Sequence, residues 1–404
     1  MRVILAHNFF NVTGGAEVFY HEVGRVLKEN NHEVAFFSPY EEGVDSEWGE
    51  FFPKPAEYKN KNIVQGVFSI KDLIYSKETK NKFKNLVDTF KPDLVHVFSV
   101  YTRLTPSFLD VCGDRNIPLL ISCNDYKHIC PNYKLYQDNK LCESCKGGKF
   151  YNAILKKCSK DSLKYSVASA LEAYTHNFMK IYHKNVNLFL FASNFMALKT
   201  QEFWKDKPFE WDILRNPFDS KKYIVEDVYE DYILYFGRLI EEKGVDVLIN
   251  AMKYSPKVKL KIIGTGPQEK ELKMLVKSLS LDNVEFLGPK WGNDLNEILK
   301  KSLCVVVPSL WHENFPYVII QSFAYGKAVI GTDRGGIPEL IQNGKYGYIY
   351  PAKDYEKLAE KITFAQNNRE KIIEMGKEAK IYSDENFNDE IFYENLMRVY
   401  SKFL

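Results

Sequence analysis

A single glutamate, Glu313, stands just before an apolar segment that is typical of a buried helix. The loop from Leu310 to Phe315 follows a short apolar strand, "CVVVPS", and we predict a helix over Pro316–Tyr325 with Asn314 or Phe315 as its cap. Free N–H groups at such a helix start attract anions. A carboxylate there would repel a phosphate, so Glu313 is better suited to accept hydrogen bonds from neutral sugar hydroxyls. The alternative is an ordinary acid that complements the helix dipole.

Two cations follow another predicted strand, "YILYF". Arg238 comes directly after it, and Lys243 precedes Gly244, which opens the next helix. A guanidinium fork and an ammonium point charge at a strand end suit a diphosphate. The alternative is a pair of solvated surface cations.

Glycine turns follow several predicted strands, and at each of them backbone can approach a ligand. They are Gly14-Gly15, Gly264 and Gly266 in "IIGTGP", and Gly335-Gly336. The G-x-G lacks the third glycine of a dinucleotide fingerprint, which argues against an NAD oxidoreductase. The sequence has no G-x4-G-K-[ST], which argues against a P-loop kinase, and no D-x-D to hold a nucleotide diphosphate through a divalent metal.

Short apolar strands that alternate with helices must position these residues. The first forty residues predict strand, loop, helix and strand, which is the βαβ unit of a parallel sheet. We expect its helix to bury one face that comprises Val18, Phe19, Val23, Val26 and Leu27. A second alternating series begins at Tyr232, after a mixed-charge segment that is typical of an interdomain linker.

The sequence therefore predicts an α/β protein with two doubly wound, Rossmann-like domains that face each other across a cleft, with ligands at the strand carboxyl ends. A length of 404 residues agrees with two domains. We place them at 1–215, with a cysteine-rich insertion at about 127–160, and at 216–384. A helical block at about 369–403 closes the chain.

The bulk charge and hydropathy exclude some classes of protein. The net charge is +2, so the chain as a whole is not a nucleic-acid binder by charge. The apolar run Val3–Ala6 is too short for a signal peptide, and no apolar stretch approaches the roughly 20 residues of a membrane span. We expect a cytoplasmic protein whose seven cysteines are thiols or metal ligands rather than disulfides.

Four cysteines cluster in the insertion: Cys130, Cys142, Cys145 and Cys158. One close C-x-x-C pair between two outlying cysteines suits a tetrahedral thiolate site, and zinc is the metal that we expect there. The second close pair of a zinc ribbon is missing, so reduced thiols are the alternative.

The stretch from Lys146 to Lys184 is strongly basic, with eight lysines against Asp161 and Glu172, a net charge of +6. Apolar residues recur in it at helical spacing. They are Leu163, Val167, Leu171, Tyr174, Phe178 and Ile181. The stretch is suited to lie on anionic lipid at the inner face of the plasma membrane; the alternative is a solvated helix face.

An ordered set of segments resembles the retaining glycosyltransferases of family 4, which have the GT-B fold. In the second half these are "FGRLIEEKG", "IIGTGP", "VEFLG", "PSLWHENFPYVIIQSFAYGKAVIGT" and "GGIPELI". In the first half they are "NVTGGAE", "CNDY" and "ASNF". The resemblance implies a nucleotide-sugar donor, expected to be a UDP-sugar, in the second domain and a glycan or lipid-linked saccharide acceptor in the first. It also implies a C-terminal helix, 385–404, that packs back on the first domain.

The resemblance assigns roles residue by residue. Arg238 and Lys243 neutralise the departing diphosphate, Glu313 contacts sugar hydroxyls, and Gln321 contacts the ribose. The expected catalytic residues are Arg238, Lys243, Glu313 and Asp125. The expected donor-binding residues are Gly14, Gly15, Asn124, Gly264, Gly266, Leu287, Gly288, Asn314, Phe315, Pro316 and Gln321. The implied chemistry is front-face displacement with no catalytic metal or other cofactor.

Two positions depart from the family pattern. Gln321 stands where the family has its second acid, but it keeps an acceptor for a ribose hydroxyl, so we expect weakened rather than abolished donor binding. Asn124 stands where a histidine is common, which leaves the transferred sugar open. Two other functions remain: a sugar-nucleotide epimerase of the same fold, and a sugar-nucleotide sensor decayed from a transferase.

Overall fold

Short strands rich in β-branched and aromatic residues form the centre of each half of the chain. The computed structural model describes residues 1–12, 14–44, 46–55, 72–101, 103–205 and 207–404. The first unit comprises Met1–Leu135, Glu143–Pro217 and Phe392–Leu404, and the second comprises Tyr136–Cys142 and Phe218–Ile391. In the described part of the chain, no helix is long and apolar enough to cross a membrane.

The strands of the first half of the chain are β1 (Arg2–His7), β2 (Glu33–Phe37), β3 (Leu94–Phe98), β4 (Leu119–Cys123), β5 (Tyr136–Gln137), β6 (Lys140–Leu141), β7 (Leu188–Phe191) and β8 (Trp211–Ile213). A parallel sheet orders them as β2-β1-β3-β4-β7-β8, so the strand order reverses between β1 and β3. Strands β5 and β6 form a separate antiparallel hairpin in the second unit.

The helices of the first unit are α1 (Gly15–Glu29), α2 (Lys77–Phe90), α3 (Leu109–Arg115), α4 (Tyr151–Leu155), α5 (Leu163–Phe178), α6 (Ile181–Asn185) and α7 (Asn194–Phe203). Helix α1 buries Phe19, Val23, Val26 and Leu27 as predicted. Val18 was wrongly placed on that face, because the helical turn carries it outward into solvent.

The second sheet comprises β9 (Tyr232–Phe236), β10 (Lys259–Ile263), β11 (Val284–Gly288), β12 (Cys304–Val307), β13 (Ala328–Thr332) and β14 (Gly347–Tyr350). Its parallel order is β11-β10-β9-β12-β13-β14. This is the Rossmann order, and it reverses between β9 and β12. The predicted fold class, α/β with two doubly wound Rossmann-like halves, is confirmed.

The helices that follow are α8 (Val245–Met252), α9 (Glu269–Ser278), α10 (Gly292–Lys301), α11 (Tyr317–Ala324), α12 (Ile337–Ile341), α13 (Tyr355–Asn367), α14 (Arg369–Asn386) and α15 (Asp389–Tyr400). The predicted single block over 369–403 is therefore two helices. It breaks because the backbone of Phe387 is not helical (φ −130°, ψ 80°) and Asn388 Oδ1 accepts the Ile391 N–H at 3.0 Å, which starts a new helix.

The first unit has an apolar core on each face of its sheet, as a parallel sheet requires. Ile4 and Ala6 of β1 point into one core, whereas Val3 and Leu5 point into the other. The end of the chain completes the second of these cores with Phe392, Leu396, Val399 and Tyr400. The last residues of the chain, Phe392–Leu404, belong to the first unit.

Candidate active site

The loops after β9 and β12 are neighbours because the strand order of the second sheet reverses between these strands. Ligands of doubly wound sheets bind at such a point, beyond the carboxyl ends of the strands. The Leu310 N–H donates to the Glu242 carbonyl oxygen at 2.8 Å and fastens the two loops together. Gly244, with φ +65°, permits this approach, since a Cβ there would lie 2.2 Å from the Pro308 carbonyl oxygen.

Glu313 is buried in the loop after β12, and one oxygen of its carboxylate accepts two hydrogen bonds. Lys243 Nζ donates to Glu313 Oε1 at 2.5 Å, and Ser309 Oγ donates to the same oxygen at 2.7 Å. Lys243 also lies over the Trp311 ring, with Nζ 5.7 Å from the centroid. The structure thus joins two of the predicted catalytic residues, 70 positions apart in sequence, in one ion pair.

The charge of Glu313 is maintained despite its burial. Burial opposes ionisation, but the positive charge and hydrogen bond of Lys243, together with the hydrogen bond from Ser309, outweigh it, so the pKa of Glu313 lies below its usual range. At neutral pH the site therefore presents a carboxylate that accepts hydrogen bonds. That is the state required to hold sugar hydroxyls, which donate to it.

The loop after β13 supports the backbone of Glu313. The Gly336 N–H donates to the Glu313 carbonyl oxygen at 2.8 Å. Gly335 has φ +59°, and a Cβ there would lie 2.0 Å from that same oxygen. The Thr332 hydroxyl donates to the Ser309 carbonyl oxygen at 2.8 Å. The first glycine of the pair noted in the sequence, Gly335, is therefore required for the close contact with the Glu313 loop.

Arg238 lies at the carboxyl end of β9 with its side chain exposed. Its carbonyl oxygen accepts a hydrogen bond from the Tyr235 hydroxyl at 2.8 Å. Burial raises the pKa of Tyr235; the charge of Glu313 raises it further, and the charge of Arg238 opposes the rise. Both charges thus act on one buried phenol. No carboxylate among the described residues forms an ion pair with Arg238, so its guanidinium is available to an anion.

The glycine loop after β10 packs against the loop after β9. A Cβ at Gly264 (φ +141°) would lie 1.8 Å from the Gly237 carbonyl oxygen, and one at Gly266 would lie 2.2 Å from the Leu239 carbonyl oxygen. Gly288 (φ +69°) has open space around it, and its carbonyl oxygen accepts the Gly264 N–H at 3.0 Å. Leu287 beside it is half-buried. Loop packing therefore explains Gly264 and Gly266 without a ligand, and donor binding by these residues stays a prediction.

The start of α11 differs slightly from the prediction. Pro316 has extended ψ (114°) and is the N-cap, so the helix begins at Tyr317 rather than at Pro316. Asn314 and Phe315 precede the helix and are buried. Gln321 lies one turn into α11 and is half-buried. Its proposed contact with a ribose stays a prediction.

In the first unit, the expected phosphate loop lies at the start of α1. Gly14 is the N-cap and Gly15 the first helical residue, and both are exposed. Glu17, in the first helical turn, is buried. Thr13, part of the segment that resembles the family, lies outside the described residues. The exposed N–H groups of this turn are compatible with the expected role of both glycines.

Asp125 follows β4 and is held by a residue that follows β3. Tyr101 donates its hydroxyl hydrogen bond to Asp125 Oδ1 at 2.7 Å, and the Lys127 N–H donates to the same oxygen at 2.9 Å. Burial raises the pKa of Asp125 against these two hydrogen bonds. Asn124 beside it has Nδ2 at 3.5 Å from Ser99 Oγ, which is long for a hydrogen bond.

The four cysteines of the predicted zinc site are divided three to one between the two units. Cys130, Cys145 and Cys158 belong to the first unit, whereas Cys142 belongs to the hairpin segment of the second. Over the described residues, no three His, Cys, Asp or Glu side chains are grouped so as to hold a metal ion. A structural zinc stays a prediction, which metal analysis of protein purified without chelators decides.

Two residues of these sites were not anticipated from the sequence. Ser309 holds Glu313, and Tyr101 holds Asp125. Ser309 ends the segment "CVVVPS" four residues before Glu313, so its position beyond a strand was a usable signal. Tyr101 is 24 residues from its partner, and only the pairing of β3 with β4 brings them together.

Two family models match the chain. Residues 13–222 match Glycosyltransferase Family 4, and residues 219–382 match Glycosyl transferases group 1. Together they span every strand of the two sheets except β1, and the loops that carry the residues described above.

Three curated relatives illustrate the similarity in sequence. The 42.6 kDa protein of the cps region of Klebsiella pneumoniae is 28% identical over 356 residues, which cover 84% of the chain and 87% of that protein. The glycosyltransferase MJ1178 of Methanocaldococcus jannaschii is 30% identical over 41% of the chain. The amylovoran biosynthesis glycosyltransferase AmsK of Erwinia amylovora is 25% identical over 54% of the chain. The matches span about half the length of the last two proteins, 46% and 58%.

Solved structures show the same fold at low sequence identity. The sucrose-phosphate synthase of Thermosynechococcus elongatus aligns over 99% of this chain and 98% of its own, with a TM-score of 0.71 and 17% identity. Anabaena HepE in complex with UDP-glucose aligns over 100% of both chains, with a TM-score of 0.63 and 17% identity.

Proposed function

The chain belongs to glycosyltransferase family 4, and from this premise we propose that it transfers a sugar from a UDP-sugar to a glycan or lipid-linked saccharide, with retention of anomeric configuration. The acceptor would serve cell-surface polysaccharide or glycolipid synthesis. The proposal places the reaction on the cytoplasmic side of the membrane.

The observation that carries the proposal is that one cation is unpaired and another is paired where the strand order of the second sheet reverses, between β9 and β12. Arg238 is exposed with no described carboxylate partner, whereas Lys243 is paired with a buried, ionised Glu313. An unpaired guanidinium is suited to a diphosphate, and a fixed carboxylate is suited to neutral hydroxyls. A ligand that carries both groups, a diphosphate and a sugar, matches the two features together.

The choice of donor and acceptor rests on similar proteins. HepE, which shares the fold, was solved with UDP-glucose, and this supports a UDP-sugar donor. The names of two relatives, one encoded in a cps region and one in amylovoran biosynthesis, support a polysaccharide or its lipid-linked precursor as acceptor.

In the proposed reaction the acceptor hydroxyl forms the new bond to the anomeric carbon on the face from which the diphosphate leaves. The bond from that carbon to the diphosphate oxygen breaks, and the departing diphosphate takes the acceptor proton. The enzyme then has to neutralise charge and fix geometry rather than supply a nucleophile. Arg238 would stabilise the leaving group, and Glu313, held by Lys243 and Ser309, would orient the sugar ring.

A donor screen tests this proposal. Hydrolysis and binding of UDP-, GDP- and ADP-sugars are measured on the full chain, and the anomeric configuration of the released sugar is followed by NMR. We expect turnover of a UDP-sugar with retention, and a loss on the order of a hundredfold in Arg238→Ala. Arg369→Ala, which removes an arginine paired with Asp231 on the same unit, is the matched control and should stay near wild type.

Two outcomes would contradict the proposal. Binding of a sugar nucleotide without turnover under any acceptor condition would identify a sensor. Turnover that Arg238→Ala leaves unchanged would remove the assigned leaving-group contact.

A further inference from the structure

Helix α5 of the first unit exposes its apolar face. Leu163, Val167, Leu171, Tyr174 and Phe178 are all exposed, and Phe178 reaches 88%. At 3.6 residues per turn these five side chains fall within roughly 80° of the helix circumference. The side that α5 buries comprises Ser166, Ala170, Glu172 and His176 instead. A helix of a globular protein normally buries its apolar stripe, so the orientation of α5 needs an explanation.

The exposed surface continues onto the short helix α4. Leu155 is 73% exposed, and Tyr151 is 50% exposed. The two helices are in contact there, because the Tyr151 N–H donates to the Tyr174 hydroxyl at 3.1 Å and the Phe150 and Tyr174 rings are 5.2 Å apart. We call this surface, formed by Leu155, Leu163, Val167, Leu171, Tyr174 and Phe178, the α5 face. It is a contiguous apolar patch rather than a set of scattered residues, and such patches mark interaction sites.

Lysines border the α5 face. Lys156, Lys157, Lys160 and Lys164 are exposed at the end of α4 and the start of α5. Lys160 Nζ lies 4.8 Å from the centroid of the ring of Tyr165, an exposed residue of α5 outside the α5 face. Of the two acids in this stretch, Glu172 is buried and paired with Lys127 at 2.8 Å, so it does not neutralise the border.

We propose that the α5 face docks on the surface of an anionic lipid bilayer. Aliphatic and aromatic side chains beside a lysine border match the boundary between acyl chains and acidic headgroups, where α5 would lie in the membrane plane. A second copy of the chain is a poorer partner, because two like faces would bring their lysine borders together. The inference is independent of the donor and concerns how the first unit would meet a lipid-linked acceptor.

The test is vesicle co-sedimentation of the full chain. Vesicles of phosphatidylcholine with phosphatidylglycerol are compared with vesicles of phosphatidylcholine alone, at low and high salt. We expect binding to the anionic vesicles only, weakened by salt. Lys156→Gln/Lys157→Gln/Lys160→Gln should lower the partition coefficient by about a hundredfold, since each lysine near the surface raises that coefficient by a factor of about five. Leu155→Ser/Phe178→Ser should lower it by at least about tenfold.

Matched variants control for charge and for hydrophobicity elsewhere. Lys257→Gln/Lys270→Gln/Lys277→Gln removes three exposed lysines of the second unit, and Ile224→Ser/Ile381→Ser removes two exposed aliphatic residues of that unit. Both should bind like wild type. Because all the substituted side chains are exposed, every variant should fold, which circular dichroism checks.

Three results would overturn the proposal. Equal binding to both kinds of vesicle would show that anionic lipid is not required. An equal loss of binding in the control variants and in the α5 variants would show that the α5 face is not the binding surface. A lipid-free dimer that Leu155→Ser/Phe178→Ser converts to monomer, measured by sedimentation velocity, would assign the α5 face to a second copy.

Discussion

Glu313 lies just before α11, and Gln321 lies one turn into it. Their surroundings in the structure differ. Glu313 is buried, ionised and bound by Lys243 and Ser309. Gln321 is half-buried on the helix. Substitution of a residue inside an ion pair and substitution of a half-buried residue one turn into the helix should differ in their kinetic effects, which separates the two assigned roles.

We predict that Glu313→Gln lowers kcat strongly, whereas Gln321→Glu acts mainly on donor KM. The first change removes the charge that fixes Lys243 and weakens the acceptor for sugar hydroxyls. The second alters one hydrogen bond to a ribose, which is worth about 0.5–1.5 kcal/mol, or about tenfold at most. Steady-state kinetics of both variants with the true donor provide the measurement. An equal loss of kcat in both variants would mean that the glutamine takes part in the chemistry.

Asp125 should make the stability of the protein depend on pH. Its folded-state pKa is raised, so the native state binds the proton more tightly than the unfolded state does. The stability of wild type relative to Asp125→Asn should therefore fall as pH rises through the usual carboxyl pKa, near 4, and above it. The amide oxygen of asparagine can still accept both hydrogen bonds. We expect the Tm of Asp125→Asn to exceed that of wild type by more at pH 7 than at pH 4.

Asp110 provides a control of opposite sign. Burial opposes its ionisation, but hydrogen bonds from Lys184, Tyr75 and Asn185 lower its folded pKa. Its contribution to stability is present above the usual carboxyl pKa and is lost as pH falls through the lowered one. Asp110→Asn should therefore cost stability at pH 7 and less in acid. The same direction of pH dependence in both variants would disprove the Asp125 assignment.

Several site residues could be located from sequence because they follow strands, and parallel strands end at one edge of a sheet. Arg238, Lys243 and Glu313 were found in this way. The contacts that these residues make with one another could not be predicted. The bond from Lys243 to Glu313 spans 70 residues, and that from Tyr101 to Asp125 spans 24. Sequence spacing carries no information about contacts that only the sheet order creates.

At the scale of elements, the loops of the second sheet are held together by close backbone contacts at glycine. Gly335 combines left-handed φ with a predicted clash against the Glu313 carbonyl oxygen. Gly344 has φ +88° and no neighbour within 4 Å of a Cβ. Alanine substitutions at Gly344 and Gly335 therefore separate the loss of stability due to backbone conformation from the loss due to displacement of the Glu313 loop.

We predict that Gly344→Ala costs about 1–2 kcal/mol of stability, from backbone conformation alone. Gly335→Ala should cost more, and it should also lower kcat because its Cβ displaces Glu313. Chemical denaturation and steady-state kinetics on both variants check this. Equal losses of stability with unchanged kcat would show that the loop after β13 does not position Glu313.

Most strands were predictable because buried parallel strands have continuous apolar runs. Strand β14, "GYIY", and strand β8, "WDI", were not predicted, because each is short and contains Gly347 or Asp212 in place of a continuous apolar run. Helical periodicity correctly placed Leu163, Val167, Leu171, Tyr174 and Phe178 on one face of α5. It was wrong for Ile181, which starts the separate helix α6 and is buried. It could not tell which face of the helix would be buried, because the identity of the packing partner is not local information.

At the scale of the whole molecule, we predict that sugar transfer persists in excess EDTA. The sequence has no D-x-D with which to hold a metal on the donor diphosphate, and Arg238 supplies positive charge at the proposed diphosphate site. Activity is measured within minutes of adding the chelator and again after overnight dialysis. Immediate loss that Mg²⁺ restores would contradict the prediction. Slow loss that only Zn²⁺ restores would point to the cysteines and not to the catalytic centre.

The return of the chain to the first unit has a consequence for synthesis on the ribosome. Phe392, Leu396, Val399 and Tyr400 fill the core against β1 and α1, and the Tyr400 hydroxyl bonds His96 Nδ1 at 2.7 Å. Burial lowers the pKa of His96 to about 3, so this imidazole stays neutral, with Tyr400 as the partner of Nδ1 and Ser122 as the partner of Nε2. The core of the first unit therefore cannot be completed until residues 392–400 have been synthesised and have left the exit tunnel.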